Sequence, residues 1–243
     1  MKNIVHLCDC LEFMKGLPDN HYQLAIVDPP YGGGGKDPWA GKKRGRFGSR
    51  FDKYHITKDD IPNHPVIKVN RSGSEWIERY KVEGEPGTDI ANWDYAPSPE
   101  YFQELFRISE NQIIWGGNYF DLPPTRCFVV WRKLTISETF SMAMAEYAWT
   151  SFNSNAKVFD AAPQGTKKNP RIHPTQKPIS LYKWRLNKYA KPGDTIFDSH
   201  VGSGSSRIAC HDLGFDFEGC EIDRFYWQSQ ENRFQSHTQQ QAA

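Results

Sequence analysis

The sequence predicts an α/β protein that contains parallel β-strands. Short apolar runs of strand length, such as 4–7 and 195–197, are followed by segments with helical spacing. The stretch 195–222 is predicted to form a strand, a helix and a second strand. A helix that connects two strands in this way joins parallel neighbours. The chain has 243 residues, of which 38% are hydrophobic, so we expect one domain over 1–243 rather than two.

The elements follow from local signals in order. Strand 4–7 precedes a helix over 11–17, and strand 24–27 ends at Asp28 because the following prolines cannot donate to a ladder. Ser98 and Pro99 are an N-cap and a first helical residue, which predicts a helix to Ser109. Further strands are predicted at 112–115, 128–131, 146–149, 195–197 and 217–222, and helices at 178–189 and 205–213. The polar tail 228–243 is rich in glutamine and is expected to fray.

Residues 32–95 interrupt this pattern as a long insertion. Ordinary connections span about 4–6 residues, so an insertion of this length is functional or disordered. The net charge of the chain is only +1, yet positive charge is concentrated in this segment. We therefore interpret it as a candidate DNA-recognition or lid region. Its candidate phosphate contacts are Lys36, Lys42, Lys43, Arg44, Arg46 and Arg50.

Composition excludes several other classes of protein. The five cysteines show no C-x-x-C pair and no zinc spacing, so we expect no metal site and a reducing cytoplasm. No apolar stretch reaches about 18 residues, which excludes a spanning helix. The first apolar run is too short for a signal peptide.

A glycine loop follows strand 195–197 and precedes the helix that begins at Ser205. Gly202 and Gly204 let the backbone approach a ligand closely, and Glu221 and Asp223 at the end of the next strand can accept hydrogen bonds from ribose hydroxyls. The loop lacks both the G-x-G-x-x-G spacing and the G-K-[ST] of a phosphate loop. These features favour a nucleoside ligand without phosphates over a plain glycine turn.

The tetrapeptide Asp28-Pro29-Pro30-Tyr31 lies at a strand end, where open parallel sheets bind ligands. An amino group can donate one hydrogen to the Asp28 carboxylate and one to the Pro29 carbonyl. Tyr31 offers a flat face on which an extruded base can stack. The alternative is a rigid turn with a buried tyrosine, but the four residues together favour chemistry on an amine.

Together these motifs resemble the amino-specific DNA methyltransferases of bacteria and phages, in the beta order with the catalytic tetrapeptide first. The stretch 173–178, His-Pro-Thr-Gln-Lys-Pro, matches that family closely, and 114–120 resembles its segment near the target base. The resemblance implies a Rossmann-like fold with a mostly parallel seven-stranded sheet, helices on both faces, and S-adenosyl-L-methionine as cofactor. By resemblance and loop position, the cofactor contacts are Asp9, Cys10, Asp28, His173, Thr175, Gln176, Lys177, Asp198, His200, Gly202, Ser203, Gly204, Ser205, Ser206, Glu221, Ile222 and Asp223.

Two departures from the family stand out. Asp198-Ser199-His200 replaces the usual Asp-Pro-Phe, so His200 either packs against the cofactor or is a solvated loop residue. Between Trp149 and His173, where the family carries its DNA-recognition region, this chain has only a short stretch. The insertion after Tyr31 is the candidate replacement.

The resemblance implies a DNA (adenine-N6) methyltransferase that flips its base out of double-stranded DNA. Methylation of cytosine N4 or of RNA, and a catalytically inactive nucleic-acid-binding subunit, are the alternatives. The Asp at the first position of the tetrapeptide favours adenine over cytosine as the target base. The stretch from His173 to Pro178 favours DNA over RNA as the substrate. We expect a cytoplasmic protein, bacterial or phage-encoded, without a membrane partner. A homodimer and a cognate restriction endonuclease are left open as further partners.

Overall fold

The computed structural model describes residues 2–32, 67–69, 75–77, 95–140, 143–163 and 171–242. Ten strands lie in this part of the chain: β1 (Asn3–Leu7), β2 (Tyr22–Val27), β3 (Ile67–Val69), β4 (Glu75–Ile77), β5 (Ser109–Trp115), β6 (Phe128–Lys133), β7 (Ala145–Thr150), β8 (Lys157–Ala161), β9 (Thr195–Asp198) and β10 (Asp216–Glu221). The α-helices are α1 (Cys10–Lys15), α2 (Pro99–Ile108), α3 (Ile179–Tyr189), α4 (Ser205–Leu213) and α5 (Arg224–Ala242). Among these residues, no helix combines the length and the apolar character that crossing a membrane requires.

Eight strands form one mixed sheet in the order β1-β10-β9-β2-β5-β7-β6-β8. The pairs from β1 to β5 along this order are parallel, β7 runs antiparallel to β5 and β6, and β8 is parallel to β6. The α/β fold with a mostly parallel sheet is confirmed, but the expected number of seven strands is wrong. The additional strand is β8, an edge strand whose residues are only half-buried or exposed, so it carries no apolar run.

Helices cover both faces of the sheet. On one face, Leu24, Ile26 and Ile113 pack in a cluster with Leu181 of α3 and Ala209 of α4. On the other face, the alternate strand residues Ala25, Val27 and Ile114 pack with Met14 of α1 and Leu105 of α2. The central strands β2 and β5 are therefore buried on both sides, which explains their continuous apolar sequence.

Two local expectations need correction. The tail does not fray: α5 continues to Ala242, because its inward face packs on the rest of the domain through the buried residues Tyr226 and Gln230. Ser98 is the N-cap of α2 as predicted, but its side chain makes no capping hydrogen bond. Within the insertion, β3 and β4 form an antiparallel two-stranded sheet.

The topology brings two distant parts of the chain together. Strands β2 and β9 are parallel neighbours, with Leu24 opposite Ile196 and Ala25 opposite Phe197. Asp28 follows β2 and the glycine loop follows β9, so both lie at the carboxyl edge of the sheet. That edge is where open α/β sheets bind their ligands.

Candidate active site

The Asp28 side chain is held from two directions. Its Oδ1 accepts a hydrogen bond of 2.7 Å from the Tyr31 hydroxyl, and its Oδ2 accepts one from the Lys177 ammonium. Pro29 is buried and Pro30 is half-buried, which fixes the backbone directly after the strand. Each carboxylate oxygen has two lone pairs, so Oδ1 can still accept a hydrogen from a ligand amine.

Aromatic rings adjoin this carboxylate. The Tyr31 ring stacks on Tyr119 with centroids 4.9 Å apart, and Tyr119 is 61% exposed. The ring of Tyr31 passes directly over Gly116, where a Cβ would lie 2.1 Å from the Tyr31 Cε1 atom. Gly116 also has a φ of +67°, a conformation that glycine adopts without strain. Gly116 therefore makes room for Tyr31 at the site.

The stretch 173–177 connects Asp28 to the glycine loop. The His173 ring lies 3.6 Å from the Cβ position of Gly202, and Lys177 binds Asp28. Four residues of extended chain span at most about 14 Å, so both strand ends border one region of the surface. Within the stretch, Thr175 Oγ1 lies 3.0 Å from His173 Nδ1, and buried Gln176 accepts a hydrogen bond from the Ile172 N–H.

The glycine loop has the backbone geometry that the sequence predicts. Gly202 and Gly204 have φ values of +52° and +73°. The serine side chains mostly point into the protein: Ser206 donates to Asp198, and Ser205 lies 3.2 Å from Ser203 and accepts from Arg233 of α5. The serines therefore hold the loop through their side chains.

Two buried carboxyl groups line the loop. Glu221 accepts hydrogen bonds of 2.8 and 2.9 Å from the N–H groups of Gly202 and Asp223, yet burial raises its pKa to about 7. Burial likewise raises the pKa of Asp198 to about 6, despite hydrogen bonds from Ser206 and the His200 N–H. Ile222, between Glu221 and Asp223, is 60% exposed at the same edge. These carboxyl groups accept hydrogen bonds, so they suit ligand hydroxyls or a cation and repel phosphate.

The remaining predicted contacts adjoin the loop from β1. Asp9 is exposed and caps α1 by accepting from the N–H groups of Leu11 and Glu12. Cys10 lies 3.9 Å from His200 Nε2, and burial raises the pKa of its thiol to about 12. His200 is half-buried: its ring packs edge-on against Tyr101, its Nδ1 lies 2.8 Å from Ser199 Oγ, and burial lowers its pKa to about 4. A neutral imidazole thus stands where the family has phenylalanine.

Two groups of charged residues at the site were not predicted from the sequence. Glu146 is the second residue of β7 and Lys133 the last of β6, and because β7 is antiparallel both lie at the carboxyl edge with Asp28. Arg185 of α3 is fully buried, with its guanidinium 4.4 Å from the ring centres of Trp115 and Tyr182. For Glu146 and Lys133, the signal in the sequence was a charged residue at the end of a strand that is otherwise largely apolar. The candidate phosphate contacts Lys36, Lys42, Lys43, Arg44, Arg46 and Arg50 lie outside the described residues.

Comparisons with known proteins agree with this geometry. A family model of N6/N4 methyltransferases, described as DNA methylase, matches residues 125–232. The chain is 24% identical to the type II methyltransferase M.HpaI of Haemophilus parainfluenzae, over 94% of the chain and 73% of that protein. It is 23% identical to the type II methyltransferase M1.MboII of Moraxella bovis, over 92% and 93% of the two chains.

Solved structures show the same fold. The PvuII DNA methyltransferase, which is cytosine-N4-specific, has a TM-score of 0.55 at 10% identity and covers 98% of this chain and 91% of its own. TTHA0409 of Thermus thermophilus, solved in complex with S-adenosyl-L-methionine, has a TM-score of 0.50 at 14% identity and covers 96% and 93%. Residues 125–232 thus match the N6/N4 family of DNA methylases, and the chain is similar over more than 90% of its length to two type II methyltransferases.

Proposed function

We propose that this DNA methyltransferase transfers a methyl group from S-adenosyl-L-methionine to the N6 amine of adenine in double-stranded DNA, with the base flipped out of the helix. The observation that carries the proposal is the Asp28 carboxylate, which Tyr31 and Lys177 hold at the edge it shares with the glycine loop. An amine that donates to a carboxylate keeps its lone pair directed at a methyl donor. Binding to DNA accords with the type II relatives.

The residues at the glycine loop fit this cofactor. Glu221 and Asp223 supply carboxylates for ribose hydroxyls, the exposed Ile222 supplies an apolar face, and no lysine or arginine of the loop itself offers a phosphate site. His173 and Thr175 lie between the loop and Asp28, where the methionine end would lie. When bound, the cofactor supplies a methyl group on a sulfonium sulfur, which is already activated for transfer.

The protein contributes mainly position and electrostatics. Asp28 accepts a hydrogen from the target amine at Oδ1, the Pro29 carbonyl accepts the other, and Tyr31 stacks on the base. Transfer would replace the bond between the methyl carbon and the sulfonium sulfur with one to the nitrogen, which becomes positively charged and releases its now acidic proton to solvent. Asp28 therefore has to accept only a hydrogen bond during the transfer, and a strongly basic carboxylate is not required.

Analysis of the methylated product tests this function directly. The purified protein is incubated with radiolabelled cofactor and duplex DNA, single-stranded RNA or no nucleic acid, and the nucleosides of the product are identified by mass spectrometry. We expect N6-methyladenine from duplex DNA alone. N4-methylcytosine would mean that the protein methylates cytosine in place of adenine. Label in RNA would mean that RNA is a substrate, and no label in any sample would indicate a catalytically inactive subunit.

Cofactor affinity should increase as the pH rises towards neutrality. Protonated Glu221 loses acceptor capacity for ribose hydroxyls, and its pKa of about 7 places this loss near neutral pH. Below that pKa, we expect the Kd measured by calorimetry to rise by up to about tenfold per pH unit. Glu221→Gln should weaken binding and flatten this dependence, whereas Glu104→Gln, on the remote helix α2, should leave it unchanged.

The same group makes the cofactor-free protein less stable at higher pH. The folded pKa of Glu221 lies above its ordinary value of 4.5, so the folded state binds the proton more tightly than the unfolded state. The contribution of Glu221 to the free energy of unfolding therefore falls as the pH rises from about 4.5 to about 7. A Glu221→Gln variant that keeps the wild-type pH dependence of both affinity and stability would contradict this account.

The basic segment should contribute to DNA affinity by binding phosphates. Neutralising Lys42, Lys43 and Arg44 with glutamine should reduce the slope of log K against log salt by up to about 0.9 for each of these side chains that binds a phosphate. The matched control is Lys188→Gln/Lys191→Gln at the far end of α3, where both lysines are exposed. A slope that stays at the wild-type value would assign DNA binding to another surface.

A further inference from the structure

Four charged side chains of alternating sign form a row that begins at the Asp28 carboxylate. Lys177 Nζ pairs with Asp28 Oδ2 and lies 3.1 Å from Glu146 Oε2, while Lys133 Nζ lies 2.6 Å from Glu146 Oε1. The side chains of Lys177 and Lys133 are 2% and 6% exposed, and that of Glu146 is 24% exposed. The set is neutral as a whole, with two carboxylates and two ammonium groups.

This arrangement is costly as a device for stability alone. Burying ions costs several kcal/mol each, and well-packed apolar residues are often at least as stabilising. Burial would lower the pKa of Lys177, but the carboxylates of Asp28 and Glu146 raise it above its ordinary value. Burial would raise the pKa of Glu146, but Lys177 and Lys133 hold it below its ordinary value. Lys177 and Glu146 thus both stay charged.

Glu146 determines how Lys177 can bind Asp28. An ammonium has three hydrogens, and with Asp28 as its one anionic partner it can turn to bond both carboxylate oxygens. In the structure Glu146 is a second anionic partner, with Oε2 3.1 Å from Lys177 Nζ, and the hydrogen bond of the ammonium to Asp28 is made at Oδ2. The Trp115 ring, whose centroid lies 5.1 Å from Lys177 Nζ, limits its movement further.

We propose that Glu146 is a positioning residue for methyl transfer: it holds the Lys177 ammonium between two carboxylates, so that Lys177 restrains Asp28 at Oδ2 and leaves Oδ1 for the target amine. The inference rests on the proposed function and assigns to it a residue outside the Asp28 tetrapeptide and the cofactor loop. In this role Glu146 acts through Lys177 and needs no contact of its own with the base or the cofactor.

Kinetics of Glu146→Gln at saturating DNA and cofactor test the inference. We expect kcat to fall by about 10- to 100-fold, because a misplaced carboxylate weakens alignment of the amine, while the KM for the cofactor stays near the wild-type value. The control is Glu104→Gln, since Glu104 is 20% exposed and paired with Arg107 at 2.7 Å on helix α2. This control should keep wild-type kcat.

A double-mutant cycle separates positioning from a structural role. If Glu146 acts through Lys177, then Lys177→Gln and Lys177→Gln/Glu146→Gln have the same kcat, because the second change has nothing left to act on. This comparison still decides the matter if Glu146→Gln alone fails to fold, since removal of both members of a buried pair is better tolerated. Thermal melts report folding for each variant.

Three results would overturn the inference. They are a folded Glu146→Gln with wild-type kcat, an equal loss of kcat when Glu146 is changed with and without Lys177, and a loss that appears in KM for the cofactor instead of kcat. A wild-type protein that methylates no DNA would overturn the proposed function itself, whereas an active wild type with any of these three results overturns the role of Glu146 alone.

Discussion

Asp28→Ala should reduce the rate of methyl transfer by about 100- to 10,000-fold while leaving cofactor affinity nearly unchanged. The substitution removes the carboxylate that accepts the target amine, and the glycine loop that would bind the cofactor is a separate segment with its own hydrogen bonds to Glu221. Lys177 keeps Glu146 as an anionic partner, so its buried charge is not left unpaired. Single-turnover methylation gives the rate, and calorimetry gives the cofactor Kd.

The control for this variant is Asp19→Ala, which removes an exposed carboxylate that pairs with Arg107 away from the site. It should retain wild-type turnover. If Asp28→Ala loses cofactor binding together with turnover, then Asp28 maintains the shape of the site instead of acting on the amine.

Gly116→Ala should abolish most turnover because the added methyl group occupies the place of the Tyr31 ring. The Cβ would lie 2.1 Å from Tyr31 Cε1, so Tyr31 has to leave its stack on Tyr119 and its hydrogen bond to Asp28. The positive φ adds a backbone cost of about 1–2 kcal/mol. Chemical denaturation measures the loss of stability, and methylation assays measure the loss of rate.

Gly214→Ala is the matched control. Gly214 has φ +78° and ψ +24°, close to the +67° and +22° of Gly116, but no other group lies within 4 Å of its Cβ position. Both alanine variants should lose a similar amount of backbone stability, and only Gly116→Ala should lose turnover. Equal activity of the two variants would mean that the position of Tyr31 does not matter for catalysis.

The strands of the core and the two loops at their ends could be predicted from sequence, because buried strands are continuous apolar runs and because proline and glycine mark where they end. The edge strand β8 could not, since only one side of it packs and its residues carry little apolar signal. Helix α5 was missed for a related reason. Its inward face includes polar residues, with Gln230 fully buried and Arg233 donating to the Ser203 carbonyl.

The charged neighbours of Asp28 escaped prediction because they depend on strand direction. Glu146 stands at the beginning of its strand, and a residue there reaches the carboxyl edge only if the strand runs against its neighbours. Apolar patterns indicate that a strand exists but not which way it runs. The residues of the glycine loop and of 173–177 are brought to one edge as the motifs suggested, while their contacts with a ligand stay predictions.

The pairing of β1 with β10 has a consequence for how the protein is made. Residues 3–7 are synthesised more than 200 residues before their hydrogen-bonding partners, residues 216–221. Strand β2 likewise pairs with β9 on one side, so the middle of the sheet cannot form until β9 has been synthesised. Until residue 221 has been synthesised, β1 lacks its partner strand, and the unpaired strand edges of the emerging chain are open to aggregation.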